Sequence, residues 1–137
     1  MGGIVVGYDG SGCGKAALDE ALRLAEGLGD RVVAVFGYLP PGVWGGEIVE
    51  HAEAVEERGQ KVLEEAKAQA APTEIEVRLT PNKPSQALVE VADELDARLI
   101  VVGSYGDAPL KGAILGSTPY KLLHGAEHPV LVVPARR

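Results

Sequence analysis

Short apolar runs alternate with longer stretches in which apolar residues recur every three or four positions. Gly3-Ile4-Val5-Val6-Gly7-Tyr8 is a continuous run rich in β-branched residues, the pattern of a strand buried on both faces. Leu18, Ala21, Leu22, Ala25 and Leu28 then recur at helical spacing and predict a helix over about 11–28, with Gly29 as its stop. Val32 to Tyr38 reads as a second buried strand, broken by Leu39-Pro40-Pro41-Gly42. Ile48, Ala52, Val55, Val62, Ala66 and Ala70 share one face of a long helix over roughly 47–71. Its other face carries Glu50, Glu53, Glu57, Lys61, Glu64 and Glu65, a charge run that reads as a solvated surface.

From Thr73 to Thr80, Ile75, Val77 and Leu79 alternate with polar residues, which predicts an edge strand with one exposed face. Pro81 and Pro84 bracket a loop, and Ser85 is expected to cap a helix carrying Ala87, Leu88, Val91, Ala92 and Leu95. Arg98 to Gly103 is another buried strand. A glycine-containing loop, a helix over about 117–124 and a last strand, Val130 to Val133, complete the order βαβαβαβαβ. Strands that alternate with helices predict an α/β fold, an open parallel sheet with helices on both faces. Ligands of such sheets bind beyond the carboxyl ends of the strands, where strand order reverses. Chemistry is therefore expected in the loops after the first and fourth strands.

Composition narrows the picture. The 137 residues suit a single domain, 1–137, and 46% hydrophobic with 24% charged residues excludes a mostly disordered chain. Aromatic residues are only 4%, so the core must be built from Val, Leu, Ile and Ala. The formal charge of −7 argues against non-specific binding to nucleic acid or to an anionic membrane. One cysteine, Cys13, allows no intrachain disulfide and fits a reducing compartment. No secretory signal is evident and no apolar run reaches the roughly 20 residues that span a bilayer, so a soluble, cytoplasmic protein is expected.

The loop after the fourth strand runs Gly103-Ser104-Tyr105-Gly106 and, nine residues on, Gly116-Ser117. Glycines let the backbone approach a ligand closely, and a helix N-terminus at Gly116-Ser117 favours phosphate. The same glycines also serve simply to turn the chain, and on their own they leave the two readings even.

These features resemble the universal stress protein family over essentially the whole chain. The first strand ends Val6-Gly7-Tyr8-Asp9-Gly10-Ser11, and the span from Val101 to Ser117 matches the family's nucleotide motif of Gly, two residues, Gly, nine residues, Gly and Ser/Thr. The stretches Leu122-Leu123-His124 and His128-Pro129-Val130-Leu131-Val132-Val133 resemble its last helix and strand. The resemblance implies a Rossmann-like fold, akin to the adenine nucleotide alpha hydrolases, with strand order 3-2-1-4-5. It implies ATP, with Mg, as ligand. Asp9, with Gly7 and Tyr8 before it, is then near ribose and phosphates. Gly103, Tyr105 and Gly106 contact ribose and phosphate. Gly116, Ser117 and Thr118 hold the β- and γ-phosphates. Phe36, Gly37 and Val102 border the adenine. It further implies a homodimer through the last strand and a regulatory role with an unidentified protein partner.

The chain departs from the family pattern in three places. Tyr105 and Asp107 flank the second glycine where relatives often carry basic residues, Lys111 is the one cation of the loop, and Pro119 stands where many relatives have a hydroxyl. An acidic group beside a triphosphate costs affinity unless a divalent cation intervenes. Two alternatives stay open: slow ATP hydrolysis, for which Asp9 is the sole general-base candidate, and a nucleotide-free interaction module. Other motifs are weaker. Gly10 to Lys15 fails the P-loop pattern at both ends, because Asp9 occupies its first Gly position and Ala16 follows Lys15. Gly12 to Ala17 fits a loose dinucleotide fingerprint, yet the second strand lacks the acidic residue that would hold the ribose. These glycines are expected to leave a flexible entrance to the first helix. His51, His124 and His128 show no metal-ligand spacing, and Trp44 is expected to close its own loop.

Overall fold

A computed structural model of the chain describes residues 2–38, 49–105 and 115–135. Trp44, Gly106, Asp107 and Lys111 lie outside the described residues. The elements are β1 (Ile4–Gly7), α1 (Gly12–Leu28), β2 (Val32–Gly37), α2 (Val49–Ala70), β3 (Glu76–Thr80), α3 (Pro84–Leu95), β4 (Leu99–Gly103), α4 (Ser117–Gly125) and β5 (Val130–Val133). All four strand pairings are parallel and the order is β3-β2-β1-β4-β5, as the resemblance implied. In the central ladder Val5 lies between Val33 and Ile100.

The alternation of strand side chains divides the core in two. Ile4, Val6, Tyr8 and Val101 point to the face covered by α1 and α2, where they meet Leu18, Ala21, Val62 and Ala66. Val5, Val33, Ile100 and Val102 point to the opposite face, under Leu88 and Val91 of α3 and Leu122 of α4. Each central strand thus buries both faces, which is why its sequence reads as an unbroken apolar run.

The start of α3 departs from expectation. Lys83 is the N-cap residue, Pro84 holds the first position and Ser85 is buried inside the first turn, with no side-chain cap at all. Proline supplies a φ already suited to a helix and loses no intrahelical hydrogen bond there, so it sets the boundary ahead of the serine. The third strand also begins later than its alternation suggests, at Glu76 rather than Thr73, because the Thr73 amide still closes the end of α2 on the Ala70 carbonyl, at 3.0 Å.

Candidate functional site

The carboxyl ends of β1 and β4 lie side by side at the centre of the sheet, where the strand order reverses. Beyond β1 the chain enters α1 through a hydrogen-bonded turn. Asp9 Oδ1 accepts from the Ser11 amide at 2.9 Å and from Ser11 Oγ at 2.5 Å, and Ser11 Oγ accepts from the Gly14 amide at 3.1 Å. A side chain on Gly14 would place its Cβ 2.7 Å from Asp9 Oδ1, so glycine there seats the carboxylate against the helix start. The entrance expected to be flexible is instead tied down by an N-cap and an aspartate.

Beyond β4, the Gly116 amide donates to the Ser104 carbonyl at 2.6 Å. That bond returns the chain to the end of β4 after the nine-residue span and places the N-terminus of α4 beside Ser104 and Tyr105. Gly116 is the N-cap, with φ −69° and ψ 168°, and has no side chain to cap with. The amides of Ser117 and Thr118 therefore have no intrahelical acceptor, and Pro119 has no amide to offer. Two amides and two hydroxyls of one short stretch form the donor set at this end of α4.

The other expected residues divide by where their side chains go. Tyr8 points away from the cleft into the core beneath α2, where its hydroxyl donates to Gln69 Oε1 at 2.9 Å. Burial, and then the nearby carboxylates of Glu65, Asp19 and Asp9, hold its phenol above the usual tyrosine pKa. Phe36 packs with Leu79 against Gly59 of α2, and Val102 belongs to the core under α3 and α4. At these three positions only the backbone borders the cleft. Gly7 admits Leu88 and Val102, whose methyl carbons would lie 3.1 and 3.2 Å from a Cβ. Gly37 admits the β3–α3 loop, since a Cβ would meet Pro84 Cα at 2.8 Å and the Asn82 carbonyl at 2.9 Å. Asn82 and Pro84 thereby lie against the end of β2. No motif in the sequence marked this contact, although the Pro81–Pro84 bracket did mark their loop.

The chain matches the universal stress protein family over residues 1–134. It belongs to that family. A universal stress protein of Mycobacterium tuberculosis is 32% identical over 142 residues, covering 95% of this chain and 94% of that one. One of Bacillus subtilis is 33% identical over 143 residues, covering 95% and 97%. Among solved structures, a universal stress protein in complex with cAMP is 29% identical and superposes with a TM-score of 0.72 over 98% of each chain. Against this family background the nucleotide motif has two kinds of glycine in this chain: Gly103 is dictated by packing against α1, and Gly116 by the turn onto Ser104. A groove of about 780 Å³, lined by Leu63, Val77 and Leu79 and rimmed by Glu57, Lys61 and Glu64, lies along α2 and β3, apart from the motif.

Proposed function

We propose that this universal stress protein binds ATP with Mg in the cleft beyond β1 and β4 and acts as a single-domain, cytoplasmic regulatory module, dimeric through β5. The observation that carries the reading is the Gly116–Ser104 hydrogen bond. It sets the open amides of Ser117 and Thr118, at the positive end of α4, beside the end of β4 and across from Asp9, where the phosphates of a nucleotide need donors. The ribose then lies over Asp9, the phosphates over Gly103, Tyr105 and the α4 terminus, and the adenine towards Phe36, Gly37 and Val102. Mg enters with the phosphates, whose oxygens are its usual ligands.

Binding without turnover is the favoured form. Asp9, the sole general-base candidate, has its Oδ1 engaged by the Ser11 amide and hydroxyl. A second reading has its own support. The Gly116 amide is spent on Ser104 and Pro119 has none, so α4 offers only two amides, a set that suits a single phosphate group. The solved relative that holds cAMP points the same way. Under this second reading the ligand is AMP or a cyclic nucleotide.

Calorimetric titration of the purified protein with Mg-ATP, AMP and cAMP separates these. Saturable Mg-ATP binding at or below millimolar concentration supports the first reading. Binding of only AMP or cAMP supports the second. No binding of any of them leaves an interaction module. Phosphate release above an Asp9→Ala control would overturn the binding-only form.

A further inference from the structure

At the opposite end of the sheet, remote from the nucleotide motif, both ring nitrogens of His128 face acceptors. Nδ1 lies 3.0 Å from the Ala97 carbonyl and Nε2 lies 2.8 Å from Asp93 Oδ1. A carbonyl only accepts, so Nδ1 carries a hydrogen, and Nε2 can bond the carboxylate only if it carries one too. The geometry therefore calls for the imidazolium. We propose that His128, as the imidazolium, latches the entry of β5 to the C-terminus of α3, and that the latch opens as the ring loses its proton.

The surroundings favour the cation. α3 ends with Asp93, Glu94 and Asp96 and has no basic residue in its last turn, although a helix C-terminus prefers positive charge. Glu94 is engaged by Arg78, and Arg98 at the start of β4 is engaged by Asp30. Asp93 and Asp96 are left to His128, which supplies the missing charge from another element. The hydrogen bond to Asp93, foremost, outweighs the opposing effect of burial and, with lesser help from the Ala97 carbonyl and Asp96, holds the His128 pKa above the usual histidine range. His128 is only 13% exposed, so water replaces a lost partner poorly.

The position gives the latch its effect. Pro129 follows directly, and its carbonyl accepts from the Ile100 amide at 2.9 Å, the first bond between β4 and the β5 segment. Because the folded protein holds the proton more tightly, the contribution is fully present below about pH 6.5 and is lost as pH rises through the folded value.

The experiment is a histidine ring titration by NMR, with amide exchange of Leu131 and Val133, whose amides face β4, on the parent and on Asp93→Asn. Asp93 is exposed, so the variant keeps the fold. The expected result is a parent His128 midpoint above that of the freely exposed histidine of a peptide, moved down in Asp93→Asn. Opening of β5 should also gain on the variant's by up to about tenfold per pH unit, the limit for one linked proton, as pH rises through the midpoint. A parent midpoint at or below the ordinary value, or identical pH profiles of β5 protection in the two proteins, overturns the latch.

Discussion

Gly103 at the end of β4 lies against Cys13 in the first turn of α1, so closely that a Cβ on Gly103 would stand 2.5 Å from Cys13 Cβ and 2.7 Å from its carbonyl carbon. The motif's first glycine therefore fixes the distance between helix and sheet before any ligand arrives. The opposing atoms are mainly backbone and cannot rotate aside. Gly103→Ala should lower stability by about 1–3 kcal/mol, the usual cost of overpacking. Urea unfolding measures it, and an unchanged midpoint would refute the packing role.

Two helical glycines should answer the same substitution with opposite signs. Gly27 in α1 has nothing within 4 Å of a Cβ, so Gly27→Ala should gain about 0.5–1 kcal/mol from helix propensity alone. A Cβ on Gly59 in α2 would stand 2.5 Å from Leu79 Cδ1 and 2.8 Å from Phe36 Cδ1. Gly59→Ala should destabilise despite the same propensity gain, because the Leu79 and Phe36 side chains must both shift to admit the Cβ. Thermal unfolding of both variants side by side decides it; a stabilised Gly59→Ala would mean that the Leu79 and Phe36 side chains give way.

Tyr8 should make the fold sensitive to alkali. Its phenol is held above the usual pKa, so the folded state keeps a proton that the unfolded state releases. That contribution is complete below about pH 10 and is lost as pH rises through the folded value. Tyr8→Phe forfeits the bond to Gln69, at a cost of about 1 kcal/mol near neutrality. The gap between parent and variant should narrow above pH 10. A gap that stays constant to pH 11 would show that Tyr8 does not titrate with unfolding.

The element order and the two-faced core were legible because β-branched runs and helical periodicity have few other realisations in an alternating chain, whereas the strand order came only with the family resemblance. The glycines were harder. Gly37, Gly59 and Gly103 each make room for a side chain or backbone from another element, and such contacts have no local signature. Tyr8 lies within the strand-end motif, yet period-two alternation carries its side chain to the same face as Ile4 and Val6, away from the cleft. Ser85 looked like a cap by residue type, and the fixed φ of Pro84 took precedence.

Within the proposed nucleotide site, Ser117 contributes an amide and a hydroxyl at the first position of α4. Ser117→Ala keeps the amide and removes the hydroxyl, a bond to a charged group worth about 1.5–3 kcal/mol. Affinity for the nucleotide should fall roughly ten- to a hundredfold. Gly116→Val should do more, although φ −69° imposes no backbone strain, because a Cβ would sit 3.0 Å from the Ser104 carbonyl and 3.3 Å from Tyr105 Cα. Calorimetry on variants that retain the parent circular dichroism tests both. Parent-like binding by Gly116→Val would place the nucleotide elsewhere.

The proposed dimer rests on which backbone groups of β5 are left over. The Ile100 amide donates to the Pro129 carbonyl and the Ser104 amide to the Val133 carbonyl, with Ile100 in register with Val130. In a parallel ladder the bonding alternates, so Pro129, Leu131 and Val133 use their polar groups toward β4, while Val130 and Val132 turn theirs outward. An apolar edge with open groups invites a second strand, and two copies of one edge satisfy each other about a two-fold axis. Tyr120 and Leu123, 58% and 56% exposed on α4, which packs on β5, add apolar area beside it. Val132→Pro removes only an outward amide, the one place a strand tolerates proline, and Val132→Ala trims the side chain but keeps that amide. Sedimentation at micromolar concentration should find the parent and Val132→Ala dimeric and Val132→Pro a folded monomer. A parent that sediments as a monomer, or a Val132→Pro variant that stays as dimeric as the parent, would show that β5 is not the pairing edge.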